Sequence, residues 1–179
     1  MVVHVLEVRA LAGLAQLADV ATNEDLENIS LGRDGMGPGT LRGAAEVAGV
    51  ADEVERLPDG FEAVVGERGL TLSGGQRQRV TLARALTGDP PVLVLDDAFA
   101  SVDAAKEEEI LTNLRTALAG RTVLLMTHRL RAARAAHRIV VLDAGRVVET
   151  GAHDDLVRAG GLYARLWRIQ QLEEEIARA

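Results

Sequence analysis

The amino-acid sequence predicts an α/β fold whose first half is largely helical and whose second half alternates strands with helices. Three observations carry this prediction. "PVLVLDD", residues 91–97, is a continuous apolar run ending in two acids, the pattern of a strand buried on both faces of a parallel sheet. "RTVLLMTH", residues 121–128, repeats that pattern after a helix-period segment. Before them, between Thr22 and Leu86, the chain shows helical patterns punctuated by glycines rather than strands. With 179 residues and 47% hydrophobic content, the chain can bury one core of real size.

In chain order, residues 1–16 are apolar with an amphipathic trend. Short helical patterns follow from about Thr22 to Ala51, interrupted by "GRDGMGPGT", a loop by composition. "RGAAEVAGVADEVERL" has helical propensity and ends at the turn Pro58-Asp59-Gly60. The next helix opens in "TLSGGQRQRVTLARAL", residues 71–86, and stops before "GDPP". Beyond the first buried strand, "AAKEEEILTNLRTALAG" is a helix closed by glycine, and "RLRAARAAH" is a short helix after the second strand. "RIVVLDAGRVVETG" reads as two strands about Ala144-Gly145, a hairpin signal. From His153 to Ala179 the chain is mostly helix. Leu162, Leu166, Ile169, Leu172 and Ile176 fall on one apolar face suited to core or partner packing, and "EEE" makes a solvated face. There is no internal repeat.

Composition removes several function classes. The absence of cysteine excludes disulfides and thiolate metal sites. A formal charge of −7 argues against a broad nucleic-acid surface. No apolar run approaches the roughly 20 residues of a spanning helix. The N-terminal "MVVHVLEVRALAGLAQLADV" lacks a basic n-region and is interrupted by Glu7 and Arg9, so it reads as ordinary soluble sequence.

Three local signals carry chemistry, and each has a plainer reading. Ser73 and Gln76 have capping-box spacing, and Gly74 and Gly75 let a ligand oxygen approach the backbone at a helix N-terminus, which favours phosphate. Taken alone, such a box usually just starts a helix. Asp96 and Asp97 stand at the C-terminal end of a strand, where α/β folds place their chemistry. Asp96 could hold Mg²⁺ and Asp97 could orient a water, although an isolated pair of acids more often caps the next segment. His128 follows the second strand, where a histidine is more often satisfied locally than catalytic.

The order of these signals is more specific than any of them. "LSGGQRQR", "VLVLDDAFASVD", "LLMTHRL" and "IVVLDAGRVVETGAHDDL" together resemble the nucleotide-binding domain of ABC transporters, of the exporter type. The resemblance runs over most of the chain. It implies a partial P-loop NTPase fold: a helical subdomain followed by parallel strands with helices. By it, Ser73, Gly74, Gly75 and Gln76 form the signature motif and Asp96 is the Walker B magnesium ligand. Asp97 stands where a catalytic glutamate is usual. Ala100 to Asp103 occupy the D-loop, with Asp103 toward the nucleotide, and His128 is the switch histidine. "VGERG", residues 65–69, and "ENISLG", residues 27–32, also match exporter segments, and counting back places the Q-loop glutamine, a catalytic and metal-contacting residue, at Gln16.

The family's other half-site is the Walker A loop, G-x-x-x-x-G-K-[ST], and these 179 residues do not contain it. The single lysine, Lys106, lies in "DAAKEEEI", with no glycine-rich loop about it. The resemblance therefore implies a domain truncated at its N-terminus, lacking Walker A, the adenine-stacking aromatic and the membrane domain. Such a chain offers a lid to a phosphate cradled by another polypeptide. Asp97 in place of glutamate and Ala100 in place of the usual D-loop serine weaken hydrolysis further. Two strands would also lose the neighbour that leads into Walker A, which predicts a marginally stable or oligomeric chain.

The implied organisation is one partial domain: a helical signature part over about 17–88, an α/β core over about 89–152, and C-terminal helices over 153–179. The implied cofactors are ATP and Mg²⁺, bound jointly with a partner. The implied partners are a second nucleotide-binding domain and an ABC transmembrane domain, with no nucleic acid. Its place would be cytoplasmic, at the inner face of the membrane when assembled. The activity by family is ATP hydrolysis coupled to export. The alternative is a non-catalytic regulatory module that pairs with a complete nucleotide-binding domain. The DNA-repair and chromosome-structuring ATPases share two of the motifs but carry long coiled coils, and none is present here.

Overall fold

Strand β1 (Val3–Leu6) is followed, among the residues that the computed structural model describes (3–6, 38–63 and 72–178), by a helical stretch. Helices α1 (Pro38–Val47) and α2 (Ala51–Glu55), a 3₁₀ turn at Gly60–Glu62, and α3 (Gly74–Thr87) make up that stretch. Strand β2 (Val92–Asp96), helix α4 (Ala104–Ala117), strand β3 (Thr122–Met126) and helix α5 (Leu130–Arg134) come next. The chain closes with β4 (Ile139–Asp143), β5 (Arg146–Gly151), α6 (His153–Ala159) and α7 (Leu162–Arg178). Two compact units result. One holds 3–6, 94–97 and 120–178, and the other holds 38–63, 72–93 and 98–119.

In the helical unit, the stretch read as one helix from Arg42 to Leu57 is two. Gly49, at φ 66°, ends α1 with the amides of Gly49 and Val50 bonded to the carbonyls of Glu46 and Ala45. This is a Schellman cap, which needs the left-handed conformation that glycine adopts freely. Helix α1 also begins inside the segment read as a loop, because Pro38 at its first position has the φ a helix needs and lacks only an amide the helix could not bond. Ala45, Ala48, Val50, Val54, Val80, Ala83, Ile110 and Leu114 are among the buried apolar residues of this unit.

In the sheet unit the described strands are ordered β2-β3-β1-β4-β5. The sheet differs in one respect from the expected parallel strands with a missing neighbour. Strand β1 lies between β3 and β4 and runs antiparallel to both, with Val5 opposite Leu125 and Val3 opposite Val141. Backbone groups of an inner strand must be paired, and an antiparallel strand pairs them as well as a parallel one. The hairpin of β4 and β5 turns as read, with Ala144 and Gly145 both at positive φ, as a type I′ turn requires. Leu125, Leu130, Ile139, Val141, Leu156 and Tyr163 are buried here.

The C-terminal segment breaks into α6 and α7 at Gly160, which is left-handed at φ 69°. The apolar stripe on α7 is not core: Ile169, Leu172 and Ile176 are half-exposed or more, and only Leu162 and Leu166 are partly covered. Glu149 of β5 anchors the start of this helix by accepting from the amides of Leu162 and Tyr163. Among the described residues, no helix is long and apolar enough to cross a membrane.

Candidate functional site

The helical unit carries the first group of candidate residues at the head of α3. Ser73 is the extended N-cap residue, with φ −64° and ψ 162°. Its Oγ accepts from the amide of Gln76 at 3.2 Å, and Gln76 Oε1 accepts from the amide of Ser73 at 2.8 Å. The reciprocal box read from the sequence is therefore formed. It uses the serine oxygen as an acceptor and leaves its proton available to a ligand oxygen. The amides of Gly74 and Gly75 find no acceptor among the described residues, as expected for the first turn of a helix. Two free amides, a hydroxyl donor and the positive end of a 14-residue helix fit a phosphate group.

Three further residues hold this turn: Arg79 and Ser101 lie within the motifs read from the sequence, and Glu53 lies outside them. Glu53 of α2 accepts from Gln76 Nε2 at 3.0 Å, fixing the amide that caps Ser73. The same carboxylate receives both terminal nitrogens of Arg79, at 2.7 and 2.9 Å, and Arg79 also donates to the carbonyl of Gly49. Burial alone would raise the Glu53 pKa, but hydrogen bonds from Arg79 and Gln76 and the charges of Arg79 and Lys106 outweigh it, so the group lies below its usual value. Ser101 is the third residue. Its amide donates to Gln78 Oε1 at 2.9 Å, and its carbonyl lies where a Cβ on Gly75 would come within 2.6 Å. Gly75 is thus needed for the approach of the 99–103 turn as well as for any ligand.

Asp103 is the N-cap of α4, its Oδ1 accepting from the amide of Lys106 at 2.9 Å. That hydrogen bond is the main reason its carboxyl lies below the ordinary value. The carboxylate is exposed, and one of its oxygens is engaged by its own helix.

The sheet unit carries the second group. Asp96 closes β2 and is exposed. Asp97 follows it in a left-handed conformation, φ 45°, with its amide bonded to the carbonyl of Met126 at 2.9 Å. His128 lies two residues beyond β3, and its Nδ1 stands 3.1 Å from Asp97 Oδ1. Of the residues read from the sequence, these two are brought into direct contact. The pairing leaves Asp97 Oδ2 and His128 Nε2 for other partners. Gln170 of α7 holds the backbone around the histidine, its Nε2 donating to the carbonyl of His128 and its Oε1 accepting from the amide of Leu130, both at 3.0 Å. Among the described residues, no group of three or more acidic or histidine side chains is placed to cage a metal by itself. A lone exposed Asp96 instead suits a Mg²⁺ that takes its other ligands from phosphates and water. Gln16 and the segments 27–32 and 65–69 lie outside the described residues.

The fold and its two groups of residues define the chain as part of a P-loop NTPase domain. Residues 8–100 match the ABC transporter family. The chain belongs to that family. It is 42% identical over 166 residues to an ATM1-type heavy metal exporter of Novosphingobium aromaticivorans, covering 92% of this chain and 27% of that protein. It is 50% identical over 130 residues to the ATP-dependent lipid A-core flippase of Alkalilimnicola ehrlichii, covering 73% of this chain and 22% of that one. The solved structure of a bacterial Atm1-family ABC exporter with ATP bound superposes with a TM-score of 0.75 at 44% identity, covering 83% of this chain and 26% of that chain. The chain thus spans about a quarter of the length of these relatives.

Proposed function

We propose that this chain is the signature-bearing part of an ABC exporter ATP-binding domain, holding Mg-ATP jointly with a phosphate loop supplied from outside these 179 residues. The observation that carries the reading is the head of α3, where two free glycine amides and the Ser73 hydroxyl proton stand at the positive end of a helix. In this reading Ser73, Gly74, Gly75 and Gln76 contact the phosphates, and Asp103 lies at the turn beside them. In the sheet unit, as a separate group, Asp96 would hold a metal, Gln16 contributes from outside the described residues, and Mg²⁺ when bound would neutralise phosphate charge. Asp97 orients the attacking water while His128 Nε2 meets a terminal phosphate oxygen. The helical part over about 17–88, the α/β core over about 89–152 and the helices of 153–179 are the corresponding divisions.

The coupled process is ATP-driven export, with a second nucleotide-binding domain and a transmembrane domain as partners at the cytoplasmic face of a membrane. A second reading is a non-catalytic module that offers Ser73, Gly74, Gly75 and Gln76 to a complete domain, supported by the same free amides at the head of α3. Calorimetry with Mg-ATP tests the first point: no binding by the chain alone and binding once a complete ABC ATPase domain is added. Clear binding by the lone chain would overturn the need for an outside phosphate loop. Ser73→Arg, which blocks the helix head, is expected to change the ATPase rate of the complete partner under either reading; an unchanged rate rejects the contribution of α3.

A further inference from the structure

We propose that Gln170, on the C-terminal helix, is the positioning residue for His128. The inference rests on the reading of His128 as the phosphate-facing histidine. The imidazole is more than half exposed, and its surface pairing with Asp97 is too weak by itself to fix a rotamer. Its direction is therefore governed by the backbone that carries it. That backbone is held by side chains at three successive points. Thr127 Oγ1 accepts from the amide of Arg129 at 3.0 Å, and Thr127 itself is buried. The planar amide of Gln170 takes the other two, donating to the carbonyl of His128 and accepting from the amide of Leu130.

Leu130 opens a five-residue helix whose N-cap residue, Arg129, provides no side-chain cap. Its amide is one of the orphan donors of a helix start, and Gln170 supplies the acceptor from 40 residues away. The clamp sits on a firm support. Helix α7 is anchored by Glu149 at its first amides and by the fully buried Tyr163, seven residues before Gln170. A second tie, Arg131 to Glu174 at 3.2 Å, joins the same two helices one turn further on without touching the His128 peptide. Gln170 thereby makes the C-terminal helix part of the machinery that aims the histidine.

The test reads the ¹⁵N resonances of the His128 ring in the full 179-residue chain. Gln170→Glu keeps an acceptor for Leu130 but sets an oxygen against the His128 carbonyl, and Gln170→Leu removes both bonds. Either is expected to move the Nδ1 signal toward its position in Asp97→Asn, where the Asp97–His128 pairing is altered. Arg131→Ala, which loses only the neighbouring tie, is expected to leave the ring signals in place. Unchanged ring signals in Gln170→Glu would overturn the proposal, and so would equal changes in Gln170→Glu and Arg131→Ala, which would mean that helix docking alone matters. His128→Ala, assayed with Mg-ATP and a complete ABC ATPase domain, separates the two claims. If the Gln170 variants move the ring while His128→Ala leaves the rate unchanged, the positioning stands and the role given to His128 fails.

Discussion

Asp97 and His128 meet through Oδ1 and Nδ1 at 3.1 Å, just beyond the ends of β2 and β3. Both side chains are about half exposed, at 48% and 59%, so their pairing contributes at most about 1 kcal/mol to stability. The left-handed backbone of Asp97 matters more for folding, because Asp and Asn tolerate φ 45° and β-branched residues do not. Asp97→Asn is therefore expected to change the unfolding free energy by less than about 1 kcal/mol, and Asp97→Val to lower it by about 1–2 kcal/mol. Urea unfolding of the two variants checks the difference. Equal losses would show that backbone conformation is not the constraint.

The adjacent glycines Gly74 and Gly75 have different surroundings. A Cβ on Gly75 meets the Ser101 carbonyl at 2.6 Å, whereas one on Gly74 lies 3.4 Å from Ser101 Oγ, an ordinary contact. Gly75→Ala is expected to cost about 1–3 kcal/mol through displacement of the 99–103 turn. Gly74→Ala is expected to be neutral or slightly stabilising, since alanine favours the helix. Thermal unfolding of both variants distinguishes them.

Glu53 joins α2 to α3 through Arg79 and Gln76, and the Arg79 side chain is only 10% exposed. Glu53→Ala leaves that guanidinium without its carboxylate and is expected to cost about 3 kcal/mol. Because the folded Glu53 pKa is lowered, its contribution is complete above the unfolded value of 4.5 and is lost as pH falls through the folded value. Stability measured across that acidic window should fall less steeply in Glu53→Gln than in the parent chain.

His153 titrates in a separate window. Its ring shares a 2.9 Å hydrogen bond with the hydroxyl of buried Tyr163 and packs edge-on against Trp167, 4.7 Å between centroids. Burial, then the charge of Arg134, lowers its pKa, while burial pushes the Tyr163 hydroxyl up to about 12. The unfolded chain then takes up the proton first. Stability is complete above 6.5 and declines below it until the folded pKa is passed. In His153→Gln that decline between neutral and mildly acidic pH should disappear, as read by denaturant midpoints.

Much of the site was legible because its signals are local. The Ser73–Gln76 box spans four residues, the Ala144-Gly145 turn is a dipeptide preference, and the two apolar runs ending at Asp96 and Met126 are strand patterns within single segments. Gly49 was in view, but its helix-ending role was not, because a glycine within a helical pattern reads equally as tolerated or terminal until its φ is known. Asp97 and His128 were each recognisable, but their contact was not.

The sequence by itself determined the class of chain and the succession of helices and strands from Ser73 onward, since these rest on periodicity, caps and motif order. Only the tertiary structure decided that β1 fills the place between β3 and β4, that Gly75 makes room for Ser101, that Glu53 bonds Gln76 and that Gln170 bonds the His128 backbone. Those contacts join residues 23 to 42 positions apart, where no local propensity reports which polar side chain will complete a hydrogen bond. The requirement that each backbone amide and carbonyl find a partner is general, but the packed fold chooses the partner.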